Sequence, residues 1–547
     1  MRTHSRRALL GAGIAVVGSG LLAARATGEF SSGPHSGTDG RDHARGPHEP
    51  HDRPSDYVAP DGPEVADAER KRGSGPVREF RMTPTPARID LGGRTVHTWA
   101  YDDVLPGKEM RVTAGDTLAL TLANHLPQST SVHWHGLALR NDMDGVPTLT
   151  QRPIMPGVSF PYRFTVTHPG TYWFHPHSRV QQDRGLYAPL IVEDPKEPLS
   201  YDREWVIVLD DWLDGVDGST PDDVLAELNH GMGGHSGHGH GGGMHRDEGE
   251  TGASVGDHGA PATGGSRRAG GPSRVLTGSR STLLGGDAGD VDYPFHLING
   301  RLAEAPDVCR AKPGDRIRIR FINAGGDTAY RVALGGHTMT VTHADGFPVE
   351  HAETDTLLLG MGERYDVLVT AKDGVFPLTA LAEGKKHSAQ AVLRTGSGRT
   401  PGRSTRPREL DGKLLSAYRL RAAESARAVA RRPDRTVELN LTGSMAKFDW
   451  AINGRQYSPR DRTPIRAGER VRLAIRNHTR MWHPVHIHGH HFALPDGGPR
   501  KDSAIVLPGR RLNVEFDADN PGLWMVHCHN VYHSESGMMT VLGYLKG

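Results

Sequence analysis

Apolar and polar residues alternate strictly along Gly115-Asp116-Thr117-Leu118-Ala119-Leu120-Thr121-Leu122-Ala123-Asn124. That is the period of a half-buried β-strand, whose successive side chains face opposite ways. The pattern recurs from Gly314-Asp315 through Arg316-Ile317-Arg318-Ile319-Arg320-Phe321-Ile322 to Asn323, and from Gly468-Glu469 through Arg470-Val471-Arg472-Leu473-Ala474-Ile475-Arg476 to Asn477. Each copy reads glycine, acid, alternating apolars, then an asparagine nine positions after the glycine. Three copies at domain-sized intervals predict three related β-sandwich domains, over residues 79–195, 196–400 and 434–547. Length fits that organisation, since 547 residues allow roughly three to four domains.

Three stretches break the alternation. Residues 27–78 are rich in Gly, His, Pro, Asp and Arg and read as a disordered linker. A His/Gly-rich insertion of about 215–288 interrupts the middle domain, with His230, Met232, His235, His238 and His240 close together. A basic, turn-rich linker spans 401–433. At the start, Ser5-Arg6-Arg7 precedes a small-residue apolar run and Ala24-Arg25-Ala26, which reads as a twin-arginine signal peptide over 1–26 rather than a membrane anchor. This predicts export to the cell envelope or beyond, with no membrane association after signal removal.

The repeat carries chemistry in two copies and has lost it in the third. Nine residues after Asn124 stands His133-Trp134-His135-Gly136, and nine after Asn477 stands His486-Ile487-His488-Gly489. At the same offset the middle copy has Val332-Ala333-Leu334-Gly335. A second pair of motifs follows Pro-Gly turns: His175-Pro176-His177 after Gly170, and His527-Cys528-His529 after Gly522. The matching middle positions, counted from Gly374, are Thr379 and Leu381. The first and last domains therefore read as metal-binding and the middle one as a spacer.

Composition narrows the metal. The chain has 32 histidines and 2 cysteines. Four His-x-His pairs supply eight imidazoles, which suit three metals as two plus three plus three. Cys528, with His483, His533 and Met538 nearby, supplies two imidazoles, a thiolate and a thioether, the ligands of a blue-copper electron-transfer site. On a strand, His527 and His529 face one way and Cys528 the other, so one tripeptide serves two sites. If Cys528 is a ligand, Cys309 has no disulfide partner and reads as a small buried hydrophobe. A net charge of +1, from 65 basic and 64 acidic residues, gives no electrostatic case for a nucleic-acid partner.

These four motifs closely resemble those of the multicopper oxidases, over most of residues 79–547. The resemblance implies three cupredoxin-like Greek-key β-sandwich domains in one all-β chain and four copper ions. It places His483, Cys528, His533 and axial Met538 at a type 1 copper, and His133 and His486 at a type 2 copper. His135, His175 and His529 would hold one type 3 copper, and His177, His488 and His527 the other. It also implies the reaction: one-electron oxidation of a phenolic or aromatic substrate, or of Cu(I), coupled to reduction of dioxygen to water. Cys528 would carry the electrons. Asp144 occupies an acidic position near the type 2 copper and reads as a proton relay or water orienter, against a plain Asp-Gly turn residue. Tyr532 stands where many bacterial relatives have a glutamate, which points to Glu535 as an alternative proton source. The first domain looks most like members tied to copper tolerance, and the balance favours a laccase-like enzyme that also oxidises Cu(I). The competing readings are a copper-storage protein without turnover, which needs no wired thiolate, and a copper nitrite reductase, which lacks the eight-histidine set.

Overall fold

The structure is a computed structural model that describes residues 54–230 and 271–547. The signal segment and most of the His/Gly-rich run lie outside these residues. The three repeat strands, Thr117–Ala123, Arg316–Asn323 and Arg470–Asn477, are built alike. Each pairs in parallel with an earlier strand, starting respectively at Val77, Arg203 and Arg435, and antiparallel with a later one, starting at Ser159, Arg364 and Arg511. The acid of each repeat takes an arginine from the parallel partner: Arg78–Asp116 at 2.8 Å, Arg203–Asp315 at 2.6 Å and Arg435–Glu469 at 2.8 Å.

The repeated asparagine has a structural reason. Asn124, Asn323 and Asn477 are buried, and each amide donates to one carbonyl of the loop just beyond it (Gln128, Thr328, Met481) and to one on a later segment (Ile154, Leu359, Val506). Each side-chain oxygen also accepts a backbone N–H two residues on, from Leu126, Gly325 and Thr479. This staple fixes the loop that leads into the next strand, where the first and third domains carry their first His-x-His motif. Buried amides of this kind must be fully satisfied, which accounts for asparagine in all three copies.

The repeat strands close one sheet of each sandwich, and the motif strands lie in the facing sheet. His133–His135 pairs with Gly170–His175, placing His133 opposite His175. His483–Ile487 pairs with Leu523–Cys528, placing His486 opposite His527. The middle domain pairs Val332 with Ala380. The position equivalent to the second motif is therefore one residue later than Thr379, because the turn after Gly374 is one residue longer.

Two of the low-complexity stretches are partly built. Within 27–78, helix α1 (Pro63–Arg72) forms after a Pro start and buries Val65. It is tied down by Arg72 to the Asn520 side chain at 2.8 Å and by Glu69, which accepts the Thr165 N–H at 2.7 Å. Tyr57 and Val58 are also buried, and Val58 donates to the Tyr544 carbonyl. Within 215–288, helix α2 (Pro221–Asn229) is capped by Thr220 and buries Val224, Leu225 and Leu228. The stretch 401–433 packs as well, through the short strand Leu414–Leu415 and buried Leu410, Leu420 and Ala426. Their charged composition hid a few apolar anchors that reach distant parts of the chain.

Candidate metal centre

Cys528 closes its strand with Sγ pointing into the third domain. It lies 3.6 Å from His483 Nδ1 and 3.5 Å from His533 Nδ1, and those nitrogens are 3.1 Å apart. His483 opens the paired strand. His533 rides on helix α3 (Val531–Ser536), whose start is capped by the Asn530 side chain accepting from the Tyr532 and His533 N–H groups. The outer nitrogens are occupied: His483 Nε2 meets the Thr479 hydroxyl at 2.8 Å, and His533 Nε2 meets the Asp290 carboxylate at 2.6 Å. A ring nitrogen that donates outward leaves the other with a free lone pair. Both Nδ1 atoms thus turn toward the sulfur, where a metal ion would take the place of a proton. Trp450 packs 4.4 Å from the His533 ring. Fully buried Met538 follows α3, and its carbonyl accepts the Cys528 N–H. Burial pushes the His533 imidazole down, but Asp290 and Cys528 outweigh it and lift it to about 10. Burial, with His533 adding to it, holds His483 well below the usual histidine range.

The eight motif imidazoles converge on the other side of that strand, from the first and third domains. Three groups bring their ligand atoms within 4.8 Å of one another: His135, His175 and His529; His177, His488 and His527; and His133, His135 and His486. His135 points Nδ1 inward, 3.1 Å from His529 Nε2, and His488 Nε2 lies 3.1 Å from His527 Nε2. Six of the eight rings donate their outer nitrogen to an oxygen. His133 donates to the Asp144 carbonyl, His175 to that of Pro176, His486 to that of Asp502 and His527 to that of Cys528. His488 donates to the Asp144 carboxylate at 2.8 Å and His135 to that of Asp502 at 3.1 Å. Inside, the buried Nε2 atoms of His133, His175 and His486 have no hydrogen-bond partner among the described residues. Orphaned buried nitrogens are costly unless something binds them, and neutral imidazoles are the form copper takes. Burial above all keeps His135, His175, His488, His527 and His529 well below the ordinary range, and His177 at about 3.

Asp144 is fully buried, with its second carboxylate oxygen 3.2 Å from His133 Nδ1, so it holds rings from both metal-binding domains. Tyr532 turns away from the cluster and donates to Asp183 at 2.6 Å. Glu535 lines a cavity of about 20 Å³ with His175, His177, His527 and His529. Burial lifts its carboxyl to about 7, against the pull of Arg179. Cys309 is half-buried and free, its thiol pushed up to about 11 by burial. Sequence reasoning missed Asp290, Thr479, Asp502 and Arg364. Asp290 and Asp502 reach the histidines from other strands and domains and Arg364 acts through Asp502, so no spacing marks them, while Thr479 stands four residues before His483 and reads as an ordinary turn residue.

Family models described as multicopper oxidase match residues 84–197, 280–398 and 430–546. The chain is 45% identical to multicopper oxidase MmcO of Mycobacterium tuberculosis, over all of this chain and 97% of that protein. It is 28% identical to a copper resistance protein A homolog of Pseudomonas syringae pv. tomato, over 84% of this chain and 91% of the relative. The laccase of Botrytis aclada shares the fold at TM-score 0.65 and 23% identity, covering 87% of this chain and 88% of that one.

Proposed function

The chain belongs to the multicopper oxidases, a family that binds four coppers, and from that premise we propose how its residues divide the work. His483, Cys528, His533 and Met538 hold the type 1 copper. His133 and His486 hold the type 2 copper. His135, His175 and His529 hold one type 3 copper and His177, His488 and His527 the other. Bound copper supplies one-electron oxidation of the reductant and the site where dioxygen takes four electrons and four protons to give two waters.

The rest is the work of the chain. Cys528 is bonded through the backbone to both His527 and His529, so its thiolate links the two sites covalently; this single observation carries the reading. Asp144 fixes the tautomers of His133 and His488 and offers a carboxylate for proton movement on that side. Glu535, beside the four histidines of the opposite face, holds a proton near neutral pH and delivers it there.

The physiological reductant is Cu(I), with phenols as further substrates, and the role is copper tolerance. His533, a ligand of the copper that takes electrons from the reductant on this reading, is 0% exposed and covered by the Asp290 carboxylate. That favours a small cation over a bulky phenol that must touch the ring edge. The relatives named for copper resistance support the same role. Ser5-Arg6-Arg7 supports export by the twin-arginine route. Among the described residues, no helix is long and apolar enough to cross a membrane.

Two variants of the copper-loaded protein test the wiring. Cys528→Ser is expected to lose the blue absorption and all oxidase activity. His527→Ala is expected to stay blue and bleach under reductant without oxygen, yet consume no oxygen when it is supplied. A blue Cys528→Ser protein, or oxygen uptake by His527→Ala, would overturn the assignment.

A further inference from the structure

The middle domain gives no imidazole to the cluster, yet it touches the ligands. Its turn Gly360–Glu363 passes so close that a Cβ on Gly362 would lie 2.9 Å from His135 and 3.0 Å from His529. Two residues on, Arg364 opens the strand that pairs with the middle repeat. Its guanidinium forks onto Asp502 of the third domain, Nη1 to Oδ1 at 2.7 Å and Nη2 to Oδ2 at 2.6 Å. Its Nε donates to the Thr171 carbonyl of the first domain at 3.1 Å, on the strand that ends in His175. One side chain thus joins all three domains.

Asp502 passes this connection to the ligands. Its carboxylate accepts from His135 Nε2 at 3.1 Å, and its carbonyl accepts from His486 Nδ1 at 2.9 Å. The Ser503 hydroxyl stands 3.2 Å from the first nitrogen and 3.1 Å from the second. His135 and His486 come from different domains, and their rings stack at 3.8 Å. Arg364, Asp502, Ser503, His135 and His486 are all fully buried. Gly136, the last residue of the first motif, makes room for the pair. At φ +86°, a Cβ there would fall 2.4 Å from Arg364 Nη2 and 2.7 Å from Asp502 Oδ2.

A buried ion pair is expensive to desolvate and contributes little net stability, so its worth lies in the geometry it fixes. Bidentate arginine–carboxylate pairs fix geometry well. We propose that Arg364 and Asp502 form a positioning unit through which the middle domain sets the spacing of His135 and His486 across the cluster. The unit rests on the assignment of those two histidines to copper. The middle domain is then more than a spacer: it holds the outer faces of one type 3 and one type 2 ligand.

The test uses the copper-loaded full chain and two substitutions. Asp502→Asn keeps the size and one acceptor oxygen but loses the charge that receives the fork. Arg364→Lys keeps the charge but cannot fork. The readouts are the type 2 paramagnetic resonance signal and the rate at which a copper chelator strips copper, with the blue band followed alongside. In Asp502→Asn the blue band is expected to stay, the type 2 signal to change, and one copper equivalent to leave about 10–100-fold faster. Arg364→Lys moves both readouts the same way and by less. An unchanged type 2 signal and stripping rate would overturn the proposal. So would loss of the blue band together with the type 2 signal, which marks a general folding role. A parent protein with no type 2 signal would remove the copper assignment itself, and the positioning unit with it.

Discussion

Each imidazole at the mononuclear site is set by one outer contact. Thr479 receives the His483 Nε2 proton because its own hydroxyl is aimed at the Asn477 side chain and the Met481 carbonyl. Asp290 does the same for His533 with a full charge, from a segment of the middle domain. The backbone that carries it is held in place, since the Asp290 N–H donates to Asp327, which is itself bound by Lys385 at 2.6 Å. A negative group beside a ligand favours the more positive, oxidised metal. Asp290→Asn is therefore expected to raise the reduction potential of the blue site. An anaerobic redox titration of the blue band would show it, and an unchanged or lowered midpoint would contradict it. The same substitution leaves His533 fully packed, so the colour itself is expected to persist.

At the scale of elements, the two metal domains place each motif strand with a glycine at its end. Gly489 follows His488 at φ +63°, and a Cβ there would lie 2.3 Å from the Trp524 ring. That ring cannot yield: it is fully buried, and its Nε1 donates to the Asn520 carbonyl at 2.7 Å. Gly489→Ala combines left-handed backbone strain with overpacking and is expected to cost about 2–4 kcal/mol. The checks are the unfolding midpoint of the metal-free protein and its copper content after loading, and a variant equal to the parent in both would refute the steric account. The motif glycines show what sequence reveals and what it hides. The repeat and the eight His-x-His imidazoles were legible because they are local patterns recurring at fixed spacing. His483, Cys528, His533, Met538 and Asp144 occur once and were read from a single motif and its resemblance to a family. Helix α1 was not legible, because its sequence Pro-Glu-Val-Ala-Asp-Ala-Glu-Arg-Lys-Arg offers only Val65 to a core, and its anchors are Thr165 and Asn520. Asp502 and Arg364 were not, because a charged residue is buried only by partners from other domains, and no local pattern announces them.

At the scale of the molecule, the junction of three domains is built from polar groups that must keep a fixed protonation state. His491, of the third domain, donates Nε2 to the Gly136 carbonyl of the first and packs its ring 4.6 Å from Phe347 of the middle one. Burial chiefly lowers it to about 3, with Asp502 pulling the other way and His168 and Arg500 adding to the drop. In the unfolded chain an ordinary histidine titrates near 6.5. Between those values the unfolded chain binds a proton that the folded one refuses, so stability rises with pH across this window. The contribution is complete above about 6.5 and is lost as pH falls toward about 3, at about 1.4 kcal/mol per pH unit. Replacing the group by a neutral one of similar reach removes that slope and keeps a donor for Gly136. His491→Gln is thus expected to be less stable than the parent at pH 7, where the ring packing is lost, yet to lose stability less steeply between pH 6.5 and 4. Urea unfolding of the metal-free proteins across that range measures both slopes. Parallel slopes would mean that the ring is already protonated, or exposed, in the folded protein. A flatter slope in the variant would show that the interface selects the neutral imidazole, as the cluster beside it does for its ligands.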